Sequence, residues 1–202
     1  MEIEQFKIRA SAAGLLLTNP KKKEDILSQT TKTFIKMWVK ERIFGMRKEL
    51  DTKEINKGKE YEDMAIDCAI DWLDLPFAIK NEKKFEDELF TGEPDLILED
   101  RVIDIKNSWD WATLPLFEDE IPTDGYIAQV QVYMHLTGLK KASVVYMLMT
   151  TPARYKNEEI NYDHIDKKYR YKRFDFEYDP EMIKKLQERV ILAREYINSI
   201  IY

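Results

Sequence analysis

The stretch Gly92-Glu93-Pro94-Asp95-Leu96-Ile97-Leu98-Glu99-Asp100-Arg101-Val102-Ile103-Asp104-Ile105-Lys106 decides how this chain is read. Two apolar runs, Leu96 to Leu98 and Val102 to Ile105, flank a polar break, which predicts a β-hairpin. With Asp100 and Arg101 as its loop, Glu99 faces Val102, Ile97 faces Asp104 and Asp95 faces Lys106. Side chains alternate along a strand, so Asp95, Asp104 and Lys106 share one face while Ile103 and Ile105 point to the other. Two carboxylates and an amine then converge where a buried strand should carry no charge. Carboxylates at that separation repel unless a cation lies between them, and hard divalent ions such as Mg2+ take oxygen ligands. The neighbouring lysine orients or helps deprotonate a water, or steadies charge growing on a phosphate. On this reading the stretch serves metal-assisted phosphodiester hydrolysis. The competing reading is an exposed edge hairpin with a solvated ion pair.

The 202 residues, 44% hydrophobic and 35% charged, predict a single domain over 1–202: a core at about 52–150, N-terminal helices in 1–51, and a C-terminal strand and helix in 167–202. No stretch approaches the roughly 20 apolar residues of a membrane span, and the opening lacks a signal-peptide core. The lone Cys68 excludes an internal disulfide and a cysteine-rich cluster. A soluble, cytoplasmic protein of a bacterial or phage-infected cell is the expectation. A net charge of -6 argues against a protein that coats nucleic acid nonspecifically. It leaves room for a DNA enzyme, whose catalytic carboxylates are themselves negative.

Ser11 reads as the N-cap of a short helix ending near Asn19-Pro20, and Arg9 beside that terminus would make an anion site, although serine caps are common. A helix is expected from about Ile26 to Gly45, with Lys32, Lys36 and Lys40 along one face, either tracking a phosphate backbone or simply solvated. A second should run from about Thr52 to Leu73. Glu62 lies on its apolar stripe with Ala65 and Ala69 and is predicted to face inward, where it needs a partner. Phe77 to Leu89 is expected to add a third strand to the hairpin. Trp109 to Thr123 reads as an irregular connection that packs on its own domain, covers the site, or contacts bases or a neighbouring subunit. Tyr126 to Thr137 is helical and ends at Gly138, with Gln129, Tyr133 and Leu136 on one face. An inward glutamine hydrogen-bonds a phosphate or a water without adding charge. His135 has no matching ligand and receives no role. Ser143 to Thr150 is a buried strand, Lys167 to Tyr178 a basic and aromatic strand, and Glu181 to Ile201 the last helix. The order is an αβββαβ mixed sheet, an α/β fold with added terminal helices.

Glu62, Gly92-Glu93-Pro94-Asp95, Asp104-Ile105-Lys106, Gln129 and Tyr133 together resemble the PD-(D/E)XK nuclease superfamily, in its branch with a glutamine on the following helix. Gly58-Lys59-Glu60-Tyr61-Glu62 and Tyr126-Ile127-Ala128-Gln129-Val130-Gln131 are similar to motifs of phage lambda exonuclease and the YqaJ-like viral recombinases. The match extends over roughly Ser11 to Thr150.

The resemblance implies a restriction-endonuclease-like fold and a Mg2+-dependent DNA exonuclease, with Mn2+ as substitute and two ions. It implies digestion of one strand of a duplex from its 5' end in phage-type recombination. Asp95, Asp104 and the Ile105 carbonyl would hold one metal and Glu62 the second, with Lys106 at the nucleophilic water and Gln129 close by. Ser11, Arg9 and Tyr133 would meet the 5'-phosphate and DNA. Arg9 stands where the family's arginine lies farther upstream, and Asp104 is shorter than the glutamate common in these exonucleases. Relatives form DNA-enclosing rings, so a homo-oligomer, a trimer first, and a single-strand annealing protein are the implied partners. Two other readings are a monomeric RecB-like nuclease on single strands or flaps, and a catalytically silent DNA-binding subunit.

Overall fold

In the computed structural model, which describes residues 4–22, 24–48, 51–156 and 158–201, the central hairpin forms from strands Leu96–Ile97 (β4) and Arg101–Asn107 (β5). Residues 1–3 of the opening and 23 of the lysine run lie outside the described residues. The register differs from the expected one. Ile97 pairs with Val102 and Leu96 with Ile103, and Leu98 N–H donates to Arg101 O, so the loop is Glu99-Asp100. Arg101 is held in the strand by its guanidinium, which donates to Ser143 and Asp175 across the sheet. The shift amounts to two residues, an even number, so every side chain keeps its face. Extending the observed register sets Asp95 opposite Asp104 rather than Lys106.

β5 continues into a four-stranded mixed sheet with Lys141–Met147 (β6), parallel to it, and Tyr171–Glu177 (β7), antiparallel to β6 at the far edge. The expected three-stranded meander does not form. Phe85–Glu86 (β2) instead pairs with Phe90–Gly92 (β3), which also takes Ile8–Arg9 (β1), making a separate mixed sheet. Only an isolated bridge, Lys80 to Leu96, links the segment after Pro76 to β4. Two-residue β4 offers little for a third strand to pair with.

Helices cover both faces of the larger sheet. Asp124–Thr137 (α4) lies on the side of Val102 and Val144, burying Ala128, Val130, Val132 and Met134 there. Pro180–Ile200 (α5) and Gln29–Phe44 (α1) close that layer with Ile183, Leu186, Val190, Ile35 and Trp38. On the other side, Ala65, Ile66 and Ala69 pack against Ile103, Val145 and Met147. The single helix expected over Thr52 to Leu73 is two, Lys53–Glu60 (α2) and Glu62–Trp72 (α3), broken at Tyr61 (φ -101°, ψ 7°). Ala10–Leu16 is a 3-10 helix whose N-cap is Arg9 with no side-chain cap, so Ser11 lies inside the first turn and is not the cap. In the connection after β5, Leu114 and Ile121 are buried while Trp111 and Phe117 remain exposed.

Candidate active site

Strand β5 presents Asp104 and Lys106 to α4, and α4 answers with Gln129 and Tyr133 one turn apart on the same face. Gln129 ties the group together. Its Nε2 donates to Asp104 Oδ1 and to Tyr133 Oη, both at 2.8 Å, and its Oε1 accepts from Lys106 Nζ at 3.2 Å. Tyr133 fits because residue 92 is glycine: a Cβ there would stand 2.8 Å from the tyrosine ring. The Gly-Glu-Pro-Asp turn therefore delivers Asp95 and makes room for the tyrosine under it.

The two carboxylates are strained electrostatically. Asp104 has a side chain only 3% exposed, and its Oδ2 lies 2.8 Å from Lys106 Nζ. That contact is an ion pair, and Oδ2 is buried with no further partner among the described residues. Burial pushes the Asp104 carboxyl above its ordinary range, against the pull of Lys106. Asp95 is pushed up to about 7, by burial first and then by the charge of Asp104, although its Oδ2 accepts from Ile105 N–H at 2.5 Å. Burial works against the Lys106 ammonium, but the Asp104 carboxylate outweighs it and holds this lysine protonated. Near neutrality, then, the metal-free pair keeps a proton that an incoming cation would displace.

Because β4 stops at Leu96, β5 beyond Asp104 has a strand neighbour only on its β6 side. A strand residue's N–H and C=O point the same way, so the Ile105 carbonyl faces this free edge beside Asp95. A cavity of about 290 Å³ straddles the edge, lined on one side by Asp95, Asp104, Lys106, Gln129 and Tyr133 and on the other by Gly58, Glu62, Ala65 and Asn107. Among the described residues, no three acidic, histidine or cysteine side chains gather into a closed metal cage. Mg2+ does not require one: it is held by one or two carboxylates, with water and substrate phosphate completing its shell. Asp95, the open Oδ2 of Asp104 and the Ile105 carbonyl fit that donor set.

Glu62 departs from expectation. It reaches the cavity, but the break at Tyr61 moves it to the start of α3, where its side chain is 48% exposed and Oε1 accepts from Lys80 Nζ at 2.8 Å. Lys80 also meets Asp63 and is raised by the hydrogen bonds to Asp63 and Glu62. Its partner is thus a lysine from the segment after Pro76. Ser11 and Arg9 are exposed and outside the cavity lining, though their neighbour Ala10 touches the Gly92 turn. Burial and nearby Arg47 lower the Arg9 guanidinium. Tyr133 is 5% exposed, and burial, then Asp104, raise its phenol.

Sequence reasoning missed Lys80, Asn107 and Lys57. Alternation aims Asn107 away from Lys106, which hid it; only the short β4 lets one cavity reach both faces. Lys57 donates to Ser108 O, Trp109 O, Met149 O and Thr151 Oγ1, fastening α2 behind the site. Its acceptors are mostly backbone atoms far along the chain, which no side-chain motif records.

No family model matches the chain, and no curated protein matches it. Among solved structures, a phage-related exonuclease from Haemophilus somnus 129PT is 28% identical, with a TM-score of 0.88 over 98% of this chain and 96% of that one. An alkaline exonuclease from Laribacter hongkongensis is 18% identical, with a TM-score of 0.71 over 96% of this chain and 92% of that one. The same enzyme has been solved in complex with dAMP, and that structure gives a TM-score of 0.72. The motif resemblance thus holds in three dimensions, and the restriction-endonuclease-like α/β fold with it. No helix is long and apolar enough to cross a membrane, among the described residues.

Proposed function

We propose that the chain, which groups with the phage-related exonucleases of the PD-(D/E)XK kind, is a divalent-cation-dependent exonuclease that hydrolyses phosphodiester bonds of DNA. The observation that carries this reading is the convergence of Asp95, Asp104, Lys106 and Gln129 on one cavity, with two buried carboxyl groups side by side and one of them held up to about 7.

Asp95, Asp104 and the Ile105 carbonyl would hold Mg2+, or Mn2+ in its place, and that ion supplies Lewis-acid stabilisation of the phosphoryl oxygens. The chain's own residues do the rest. The Lys106 ammonium, fixed between Asp104 and Gln129, neutralises charge growing on the phosphate and orients the attacking water along its line of approach. Gln129 holds Asp104 and Lys106 in register without adding charge. Glu62, once Lys80 releases it, is the acidic group available to a second ion. Ser11 and Arg9, beside the Gly92 turn, are the groups on hand for a terminal 5'-phosphate, which favours 5'-to-3' digestion of a duplex in recombination. A ring of copies would make that digestion processive, and a single-strand annealing protein would take up the strand released.

Duplexes labelled at either end, with and without a 5'-phosphate, test the reading when incubated with the purified chain and Mg2+. Mononucleotides should be released from the 5' strand, fastest where the phosphate is present, and EDTA or Asp104→Asn should stop release. Cleavage that persists in Asp104→Asn, or none in the wild type, sinks the assignment.

A further inference from the structure

The side of the cavity away from Lys106 and Gln129 carries, besides Glu62, two features that the proposed chemistry does not use. Gly58 sits in the last turn of α2, in ordinary helical conformation, and a Cβ built on it would meet nothing within 4 Å among the described residues. A helical glycine costs stability relative to alanine, so a chain that gains no turn and no close packing from it keeps it for space. Asn107, facing the same cavity, buries both ends of its side-chain amide, Nδ2 and Oδ1, and neither has a partner among the described residues. A buried amide without partners is expensive, and one that offers a donor and an acceptor together suits a ligand bearing both.

We infer that Gly58 and Asn107 form a nucleotide subsite, distinct from the groups that meet the reacting phosphate: the sugar of the adjoining deoxynucleotide packs on the Gly58 backbone, and its polar base edge is hydrogen-bonded by the Asn107 amide. The inference rests on the nuclease reading. It places the substrate strand around the free edge of β5, with phosphate on the Lys106 side and nucleoside on the α2 side. Ala65, small and buried in the first turn of α3, lines the cavity between them.

Gly58→Ala and Asn107→Leu test it through two readouts that a structural role would move together. Thermal melting of the metal-free chain should rise by about 2 °C in Gly58→Ala, as helix propensity dictates, and should hold or rise in Asn107→Leu. Affinity for dTMP in the presence of Mg2+, measured by calorimetry, should fall about tenfold in each, as loss of one good contact predicts, while affinity for inorganic phosphate stays at the wild-type value. A stability gain with a selective loss of nucleotide over phosphate supports the subsite. If the variants keep the wild-type ratio of dTMP to phosphate affinity, or if Gly58→Ala melts lower, the subsite is overturned while hydrolysis by the wild type still stands. A wild-type chain that binds neither probe and cleaves no DNA removes the nuclease reading, and this inference with it.

Discussion

Lys57 and Lys106 both carry an ammonium out of solvent, and the two regions hold it in opposite ways. Around Lys57 the acceptors are four uncharged oxygens, three of them backbone carbonyls, so its hydrogen-bonding capacity is filled. Around Lys106 the partners are the Asp104 carboxylate at 2.8 Å, one amide oxygen and the face of the Tyr126 ring at 4.5 Å, beside a second carboxyl pushed up to about 7. A complete neutral cage is a fastening: it joins α2 to the ends of β5 and β6, and nothing more is required of it. An incomplete charged cluster is waiting for something. The difference teaches that burial alone does not mark a catalytic lysine; the state of its neighbours does.

The sharpest way to break this contrast is to remove each ammonium. Lys106→Met should lower hydrolysis about a thousandfold, measured on end-labelled duplex by quench-flow or gel assay, while leaving the fold recognisable by circular dichroism. Lys57→Met should do the reverse. Stripping the ammonium from its oxygens should destabilise the protein by about 3 kcal/mol, read as a lower urea midpoint, with hydrolysis per folded molecule near wild type. If Lys57→Met abolished hydrolysis at full stability, the two lysines would have to be reassigned.

Proton linkage separates the regions further. The folded value of Asp95, about 7, lies above its ordinary 3.8, so the folded chain binds more protons than the unfolded one in between. Stability of the metal-free protein should therefore fall as pH rises from about 4 to about 7, and saturating Mg2+ should flatten that slope. Burial lowers Lys57 from 10.5 to about 8, so here the unfolded chain binds the extra proton and stability should climb as pH rises above 8. Lys57→Met should erase the alkaline rise and spare the acidic slope, as pH-dependent urea titrations would register. The smallest effect belongs to Tyr133→Phe, which removes one acceptor from Gln129 and should cost about 1 kcal/mol by calorimetric melting, with Gln129 still anchored on Asp104.

The side of the site built by strand alternation and helix spacing was legible in the sequence. Asp95, Asp104 and Lys106 fall on one face whether the loop is Asp100-Arg101 or the observed Glu99-Asp100, because the slip is even. Gln129 and Tyr133 follow from helical spacing. The rest depended on tertiary events. Glu62 shares a stripe with Ala65 and Ala69, but as the first residue of α3 it has no preceding helical turn to bury it, and Lys80 holds the carboxylate from a segment expected to be a paired strand. Ser11 carries a capping residue's chemistry, but the chain enters its 3-10 helix early, at Ala10. The meander does not form because Phe85–Glu86 pairs with β3, and two-residue β4 offers it little.

The two-residue length of β4 has a cost beyond chemistry. An uncovered strand rim recruits other strands, and proteins ordinarily blunt such rims with charge. Here the charges beside the rim are Asp95, Asp104 and Lys106, so the residues proposed to cut also discourage copies of the chain from zipping together. Selection against aggregation and selection for the proposed turnover then bear on the same few atoms.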